Sequence, residues 1–324
     1  MPQPTLSDVH VNRPLTNVSV AYIQQQSDFI ADKIFPIIPV ESKSDIYFVY
    51  KKDSWFRDEA KPRAPATESV GSGYDLDNTQ TYTAIVNSFH KDVDDQTRAN
   101  SDSPLAPDAD AVRYVTRKLL LKREKDWSGK FFKTGVWSAD VTPGTLWSAA
   151  GSTPIEDIRK QAVTIQQSTG FYPNTMVLGR QVWQILQDHP EFLDRIKYQG
   201  MMSDPARLAG PDGPRMLAQI LELDRVLIAA AIQNTAAEGT TFSGSFLYGK
   251  NALLAYVPSQ PGLYVPSAGY TFSWKGYTGA GIDGTRIKTF RMEHLEANRV
   301  EGDMAYDQHL VGSDLGTFFS AVVA

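Results

Sequence analysis

Residues 104–133, PLAPDADAVRYVTRKLLLKREKDWSGKFFK, carry the longest uninterrupted helical period in the chain. On a 3.6-residue wheel Val112, Val115, Leu119, Leu120, Trp127 and Phe131 fall on one side, and Arg117, Lys118, Glu124 and Lys125 on the other. Pro104 and Pro107 suit a first turn, where a missing N–H costs nothing, and Ser103 is a candidate cap. Asp108 and Asp110 then lie near the positive end of the helix dipole, with most basic residues after them. At about 1.5 Å per residue the helix spans roughly 35–40 Å. An element of that length must act as a spine. Arg123 interrupts its apolar side between Leu119 and Trp127, which makes it a candidate for a paired charge at the edge of the packing.

Composition narrows what the spine can serve. A chain of 324 residues can bury a real core as one large domain or two ordinary ones. No apolar run approaches the ~20 residues that cross a bilayer, so no membrane partner is expected. The opening MPQPTLSDVHVNRP lacks the basic and apolar regions of a signal peptide. Without cysteine, disulfides, thiolate metal sites and cysteine nucleophiles are excluded, and a cytosolic setting is the simplest. A net charge of −5 argues against an electrostatic grip on nucleic acid. The helix's own basic residues are diluted by Asp108, Asp110, Glu124 and Asp126, which suits a solvated or subunit-facing surface.

In chain order, residues 1–40 read as an arm punctuated by Pro2, Pro4, Pro14, Pro36 and Pro39, with one short helix near Val20–Lys33. Its apolar anchors, Ile23, Phe29, Ile30 and Ile34, need a surface, either the chain's own or a neighbour's. Strands are predicted after Asp45 (IYFVYKK) and over Thr79–His90, flanking a polar loop rich in proline and glycine. A loop of that length is unusual in a compact domain unless it is functional or disordered. Residues 91–103 read as an acidic connector. Thr153–Ser168 has the marks of an amphipathic helix, with Thr153 and Glu156 in a capping-box pattern and Pro154 at the first position. Short strands at Pro173–Leu178 and Arg225–Ala231, a further strand or hairpin over Phe246–Val257, and helices at Arg180–Gln187, His189–Tyr198 and Met216–Leu223 make a mixed block. The tail reads as two long strands joined near Glu301–Asp303 and an apolar terminal strand, and the spine is the long element available for them to lie along.

Candidate chemistry is sparse. Gly279–Gly284 spells G-x-G-x-x-G, but a dinucleotide site needs a helix after those glycines, and TRIKTFRMEH is β-rich. A nucleotide-binding enzyme that used Gly279–Gly284 with 53–78 as a lid is the alternative from another class. His10, His90, His189, His294 and His309 lack zinc spacing. Asp92, Asp94 and Asp95 lack the spacing of a calcium loop and read as a solvated acidic connector. No motif argues for an enzyme, a cofactor or a metal.

The order of arm, long loop, connector, spine helix, mixed block and returning strands resembles the major capsid protein of tailed double-stranded-DNA bacteriophages, the Hong Kong 97-type fold. Residues 94–124 (DDQTRANSDSPLAPDADAVRYVTRKLLLKRE) are similar to the spine-helix region of such proteins. Residues 153–186 (TPIEDIRKQAVTIQQSTGFYPNTMVLGRQVWQIL) are similar to the start of their axial domain. The resemblance implies an α+β subunit with an arm at 1–40, an extended loop at 41–89 and a peripheral domain at 90–153 carrying the spine helix. It also implies an axial domain at 154–285 and peripheral return strands at 286–324. The implied function is a homo-oligomeric virion shell of hexamers and pentamers, assembled in the host cytoplasm around double-stranded DNA and without catalysis. Trp55, Phe56, Arg57, Asp58, Glu59, Lys61 and Arg63 of the extended loop, with Arg123, are the expected subunit-interface residues. Some relatives begin with a helical scaffolding segment that is cleaved away; this arm starts at residue 1, so either scaffolding is a separate protein, beside portal and decoration proteins, or the chain is already mature. Lys51, Lys52 and Lys61 lie where some relatives cross-link, but no residue pattern marks that chemistry and no cross-link is expected. The same fold would also serve a cellular nanocompartment shell of the encapsulin kind.

Overall fold

A computed structural model of the protein describes residues 24–101, 105–198, 208, 210, 212–262, 264–277, 280–281 and 283–324. The arm supplies a short 3-10 turn at Gln26–Asp28, helix α1 (Ala31–Ile34) and strand β1 (Ile37–Val40). Strand β2 (Ser44–Tyr50) and the single turn α2 (Lys52–Trp55) lead into the long loop, and β3 (Leu76–Thr83) and β4 (Ile85–Asp94) lead out of it. Helix α3 (Asp95–Asn100) precedes the spine helix α4 (Pro107–Phe131). Strand β5 (Ala139–Val141), helix α5 (Pro154–Thr169), β6 (Thr175–Gly179), α6 (Arg180–Leu186), α7 (Pro190–Tyr198), α8 (Gly213–Ile220) and β7 (Arg225–Ala229) come next. The chain then runs through β8 (Ile232–Asn234), β9 (Gly244–Phe246), β10 (Ala252–Ala255), β11 (Gly269–Trp274), β12 (Thr285–Met292), β13 (Ala297–Leu310) and β14 (Gly316–Phe319).

The spine joins two five-stranded sheets. In the first, β13 is central: β4 pairs along one edge, from Ala297↔Asp94 to Tyr306↔Ile85, while β12 and β11 share the other edge end to end. Strand β1 extends this sheet in parallel with β11. The N-terminal half of α4 lies on it, packing Ala111, Val115 and Leu119 against Val93, Val300, Met304 and Tyr306. Gly302, in the middle of β13, permits that approach. A side chain there would bring its Cβ to 2.6 Å from Val115 Cγ1 and 2.8 Å from Leu119 Cδ1.

The second sheet has the order β5-β14-β10-β6-β7 and is buried on both faces. Alternation along its strands divides two cores, as the two-residue period requires. Met176, Leu178, Leu254 and Phe319 point to helices α5 to α8. Val177, Leu253 and Phe318 point to the other face, where Trp127 and Phe131 of the spine meet Ile30, Ile34 and Phe35 of the arm. Strands covered on both sides must be apolar along their whole length, and β6 and β10 are buried at every position. Helix α5 buries Ile155, Ile158, Ala162 and Ile165 along one stripe and ends at Gly170, whose φ of +77° is the left-handed conformation of a helix stop.

Several expectations change. The spine begins at Pro107 and ends at Phe131; Ser103 and Pro104 lie outside the described residues. Of the helix expected near Val20–Lys33, residues 20–23 lie outside the described residues, and the remainder is divided between the short turn and α1. Residues 91–94 belong to β4 and 95–100 to α3, so the connector is largely regular structure. The capping box at Thr153 is not made; Glu191 Oε2 accepts the Ile155 N–H at 3.1 Å instead. The tail strands turn at 293–296, because Gly302 marks a close helix approach and not a turn. The terminal strand leaves the spine's sheet and pairs with β10 and β5. Conversely β11, from within 154–285, joins the first sheet.

Candidate assembly surfaces

Among the eight expected interface residues, seven sit on the long loop and one does not. Strands β2 and β3 form a two-stranded ribbon, with a register shift between Tyr47 and Val49. One side of the ribbon is anchored: Tyr82 stacks on Phe272 at 4.6 Å between ring centres, and Tyr47 lies 5.3 Å from the same ring. Ile46 and Phe48, on the alternate positions of β2, remain exposed. Beyond the ribbon, Trp55 and Phe56 are exposed at 59% and 63%. Trp55 joins Tyr50 and Tyr74 in an aromatic group with ring centres 5.8–6.1 Å apart.

Arg57 pairs with Glu59 at 3.2 Å. The Ser72 hydroxyl, and then Arg57, hold the Glu59 carboxyl below its ordinary value, tying together the outgoing and returning limbs of the loop. Arg63 donates to the Thr67 carbonyl within its own turn, and Asp58 and Lys61 are exposed.

Arg123 is elsewhere. It is buried in the spine and paired with Asp32 of the arm, so within the subunit it faces its own chain and not an outer surface. Beside it lies a residue that the helical wheel puts on the solvent side. Glu124 is 1% exposed and accepts N–H donors from Ile30 and Ala31, each at 2.9 Å, and the Tyr248 hydroxyl. Burial pushes the Glu124 carboxyl up, and these donors hold it back. Burial likewise raises Asp32 against the opposing pull of Arg123. The hydroxyl of Tyr306 donates to Asp126 Oδ2 at 2.8 Å, and Gln308 reaches the Arg123 carbonyl at 3.4 Å. One stretch of the spine, 123–127, therefore binds the arm, the second sheet's surroundings and β13 together. The signal that a two-sided wheel passes over is spacing: Glu124 stands four residues after Leu120 and three before Trp127, which sets it at the edge of the buried stripe.

The remaining chemical candidates resolve into structure. Asp92 accepts two hydrogen bonds from Arg299 at 2.7 and 2.8 Å, Asp94 caps α3 through the Thr97 N–H, and Asp95 pairs with Arg291 and Arg98. The acidic connector is thus paired, in contrast to the solvated stretch expected. Among the described residues no group of three or more His, Cys, Asp or Glu could hold a metal ion. Of the glycine motif, Gly279 and Ile282 lie outside the described residues; Gly281 and Gly284 form a turn that opens strand β12 and not a helix.

Ser152 and His189 come within 2.9 Å, the arrangement nearest to a nucleophile and its base. The Glu191 N–H donates to His189 Nδ1, so the ring proton sits on Nε2 and points at Ser152 Oγ. Ser152 in turn donates to the Ala149 carbonyl. A ring that donates to the hydroxyl cannot take its proton.

Comparison with known proteins supplies the context. The family described as Phage major capsid protein E matches residues 137–217. The major capsid protein of Burkholderia phage BcepMu is 25% identical over 327 residues, covering 98% of each chain. A phage-related protein from Bordetella bronchiseptica RB50 superposes with a TM-score of 0.70 at 19% identity, covering 93% of this chain and 95% of that one. The mature capsid of bacteriophage PhiM1 gives 0.60 at 10% identity, covering 96% and 92%. An encapsulin from Synechococcus elongatus PCC 7942 gives 0.53 at 10%, covering 96% and 95%. End-to-end likeness to a capsid protein, a spine helix bridging two sheets and a two-stranded ribbon with exposed apolar side chains agree with the resemblance read from the sequence. The chain has the Hong Kong 97-type fold, and along its whole length it is similar to a phage major capsid protein.

Proposed function

We propose that copies of this subunit assemble into hexamers and pentamers of an icosahedral shell that encloses double-stranded DNA. The supporting observation is the extended loop: a two-stranded ribbon whose Ile46, Phe48, Trp55 and Phe56 are exposed. Apolar side chains displayed together on one exposed ribbon gain their burial from another copy. In this reading the axial domain is centred on the sheet of β5, β14, β10, β6 and β7, and the peripheral domain on the sheet of β4, β13, β12, β11 and β1. The loop, 41–89, lies over a neighbouring subunit, with Trp55 to Arg63 at the contact. Arg123 serves the interface indirectly, by seating the arm through Asp32.

The shell acts without catalysis and does not read the sequence of its DNA. Assembly takes place in the host cytoplasm. Electron microscopy of the purified protein, with and without a co-expressed scaffold, tests this: closed shells with fivefold and sixfold clusters are expected. A protein that remains monomeric or dimeric in both preparations would sink the proposal. The likeness to an encapsulin supports a second reading, a nanocompartment. Particles purified from cells decide between them, since DNA inside favours the phage shell and an enzyme cargo the compartment.

A further inference from the structure

We propose that residues 50–57 form a releasable clasp, which holds the extended loop against its own subunit until a second copy displaces it; this rests on the shell reading above. Three contacts build the clasp, two at the C-terminal end of α5 and one at Tyr264. Lys52 Nζ donates to the Ser168 carbonyl at 3.0 Å, at the C-terminal end of α5, and forms an ion pair with Asp314. The Phe56 ring lies across Gly170, its Cζ 3.1 Å from where a Cβ would stand. Tyr50 meets Tyr264, with ring centres 5.2 Å apart and hydroxyls at 3.3 Å.

The contacts suit a hold that can be released. Phe56 and Tyr264 remain 63% and 75% exposed, and the Lys52 ammonium is reached by solvent, so each contact is screened and weak. Tyr264 holds a φ of +63°, a left-handed conformation that a tyrosine keeps only under constraint. An open cleft of about 720 Å³ runs between the Lys52–Arg57 turn and Gln166 and Gln167, so the turn meets α5 at its C-terminal end and leaves the preceding turn of that helix open to solvent. The register shift between Tyr47 and Val49 supplies a bend between the anchored ribbon base and the clasp. Beyond it, the link from Glu59 to Ser72 lets both limbs of the loop move as one piece.

Competition gives the clasp its consequence. Phe56 and the aromatic group of Tyr50, Trp55 and Tyr74 are part of the apolar surface that the loop can offer to a neighbour, and in the clasp Phe56 and Tyr50 are engaged by the chain's own Gly170 and Tyr264. Both sets of contacts cannot be made at once.

The test uses the full chain. It contains no cysteine, so Tyr50→Cys with Tyr264→Cys can be joined selectively by a short, reducible bis-maleimide. Linked subunits should keep their circular dichroism spectrum, stay unassembled, and form shells once the linker is reduced. Shell formation by linked subunits at the rate of the reduced ones would overturn the clasp. Separately, Lys52→Ala with Phe56→Ala should speed trypsin cleavage after Arg63 in free subunits by about tenfold, since cleavage follows the open population. An unchanged cleavage rate would also overturn it. If the unmodified protein builds no shell at all, the shell reading fails, and the cleavage rates still decide the clasp.

Discussion

Glu124 is the residue on which the fold's buried hydrogen bonds converge. A carboxylate removed from water needs donors, and it has three: two backbone amides of the arm and the Tyr248 hydroxyl. Glu124→Ala leaves all three without an acceptor, and should cost roughly 3 kcal/mol of subunit stability. Glu124→Gln keeps one acceptor oxygen and should cost less, with Tyr248→Phe at the lower end. Urea unfolding of free subunits gives the order; an alanine variant as stable as the wild type would contradict the buried clamp.

His189 makes a prediction with a sign. Burial holds its imidazole below the ordinary value, against the opposing pull of Glu191. The folded state therefore favours the neutral ring, and the unfolded chain protonates first as pH falls. Its contribution to stability is fully present above about pH 6.5 and is lost as pH falls through the depressed folded value. Melting temperatures of free subunits measured between pH 7.5 and 5 should fall more steeply for the wild type than for His189→Gln. Parallel curves would remove His189 as the cause.

At the scale of elements, the spine's fit to β13 depends on a missing side chain. Gly302→Val would drive a branched group into Val115 and Leu119, displacing the helix from the sheet or the strand from its register. Overpacking of this kind costs about 1–3 kcal/mol, and Gly302→Ala should cost the smaller part. Thermal melts of the two variants check the order, and an unaffected valine variant would mean the helix has room to move.

The same residue marks a limit of reading from sequence. The stripe Val115, Leu119, Trp127 and Phe131 is legible because it repeats every three to four residues within one element. Gly302 reads as a turn, because a glycine placed for a helix 180 residues away looks locally like one placed for a bend. Glu124 reads as solvent-facing for a similar reason: its donors at Ile30, Ala31 and Tyr248 are remote in sequence, and only folding brings them to it. Strand β14 is legible as an apolar strand but not as a partner of β10, since nothing in GTFF names its sheet. The loop is legible through what it lacks, core-forming residues between two strands.

At the scale of the whole molecule, the subunit's stability and the shell's stability rest on different residues, and that separation can be tested. The body is held by the two cores on either side of the second sheet and by the spine on the first. Residues 56–72 contribute no buried side chain to any of them. Deleting 56–72 leaves β2 and β3 joined through a much shorter connection. Closing the shorter loop costs about 1 kcal/mol less entropy, which offsets the loss of the exposed Phe56 contact. The melting temperature of free subunits should therefore stay within a few degrees of the wild type. Shells should not survive the deletion, because the exposed aromatic surface and the charged residues Arg57, Asp58, Glu59, Lys61 and Arg63 go with it. The informative result is the pair of measurements on one preparation, a thermal melt of subunits and electron microscopy under assembly conditions. A destabilised subunit would mean that the loop belongs to the core. An intact melt with normal particles would mean that the contact between neighbours lies elsewhere, with the exposed Ile46 and Phe48 of the ribbon as the next surface to remove.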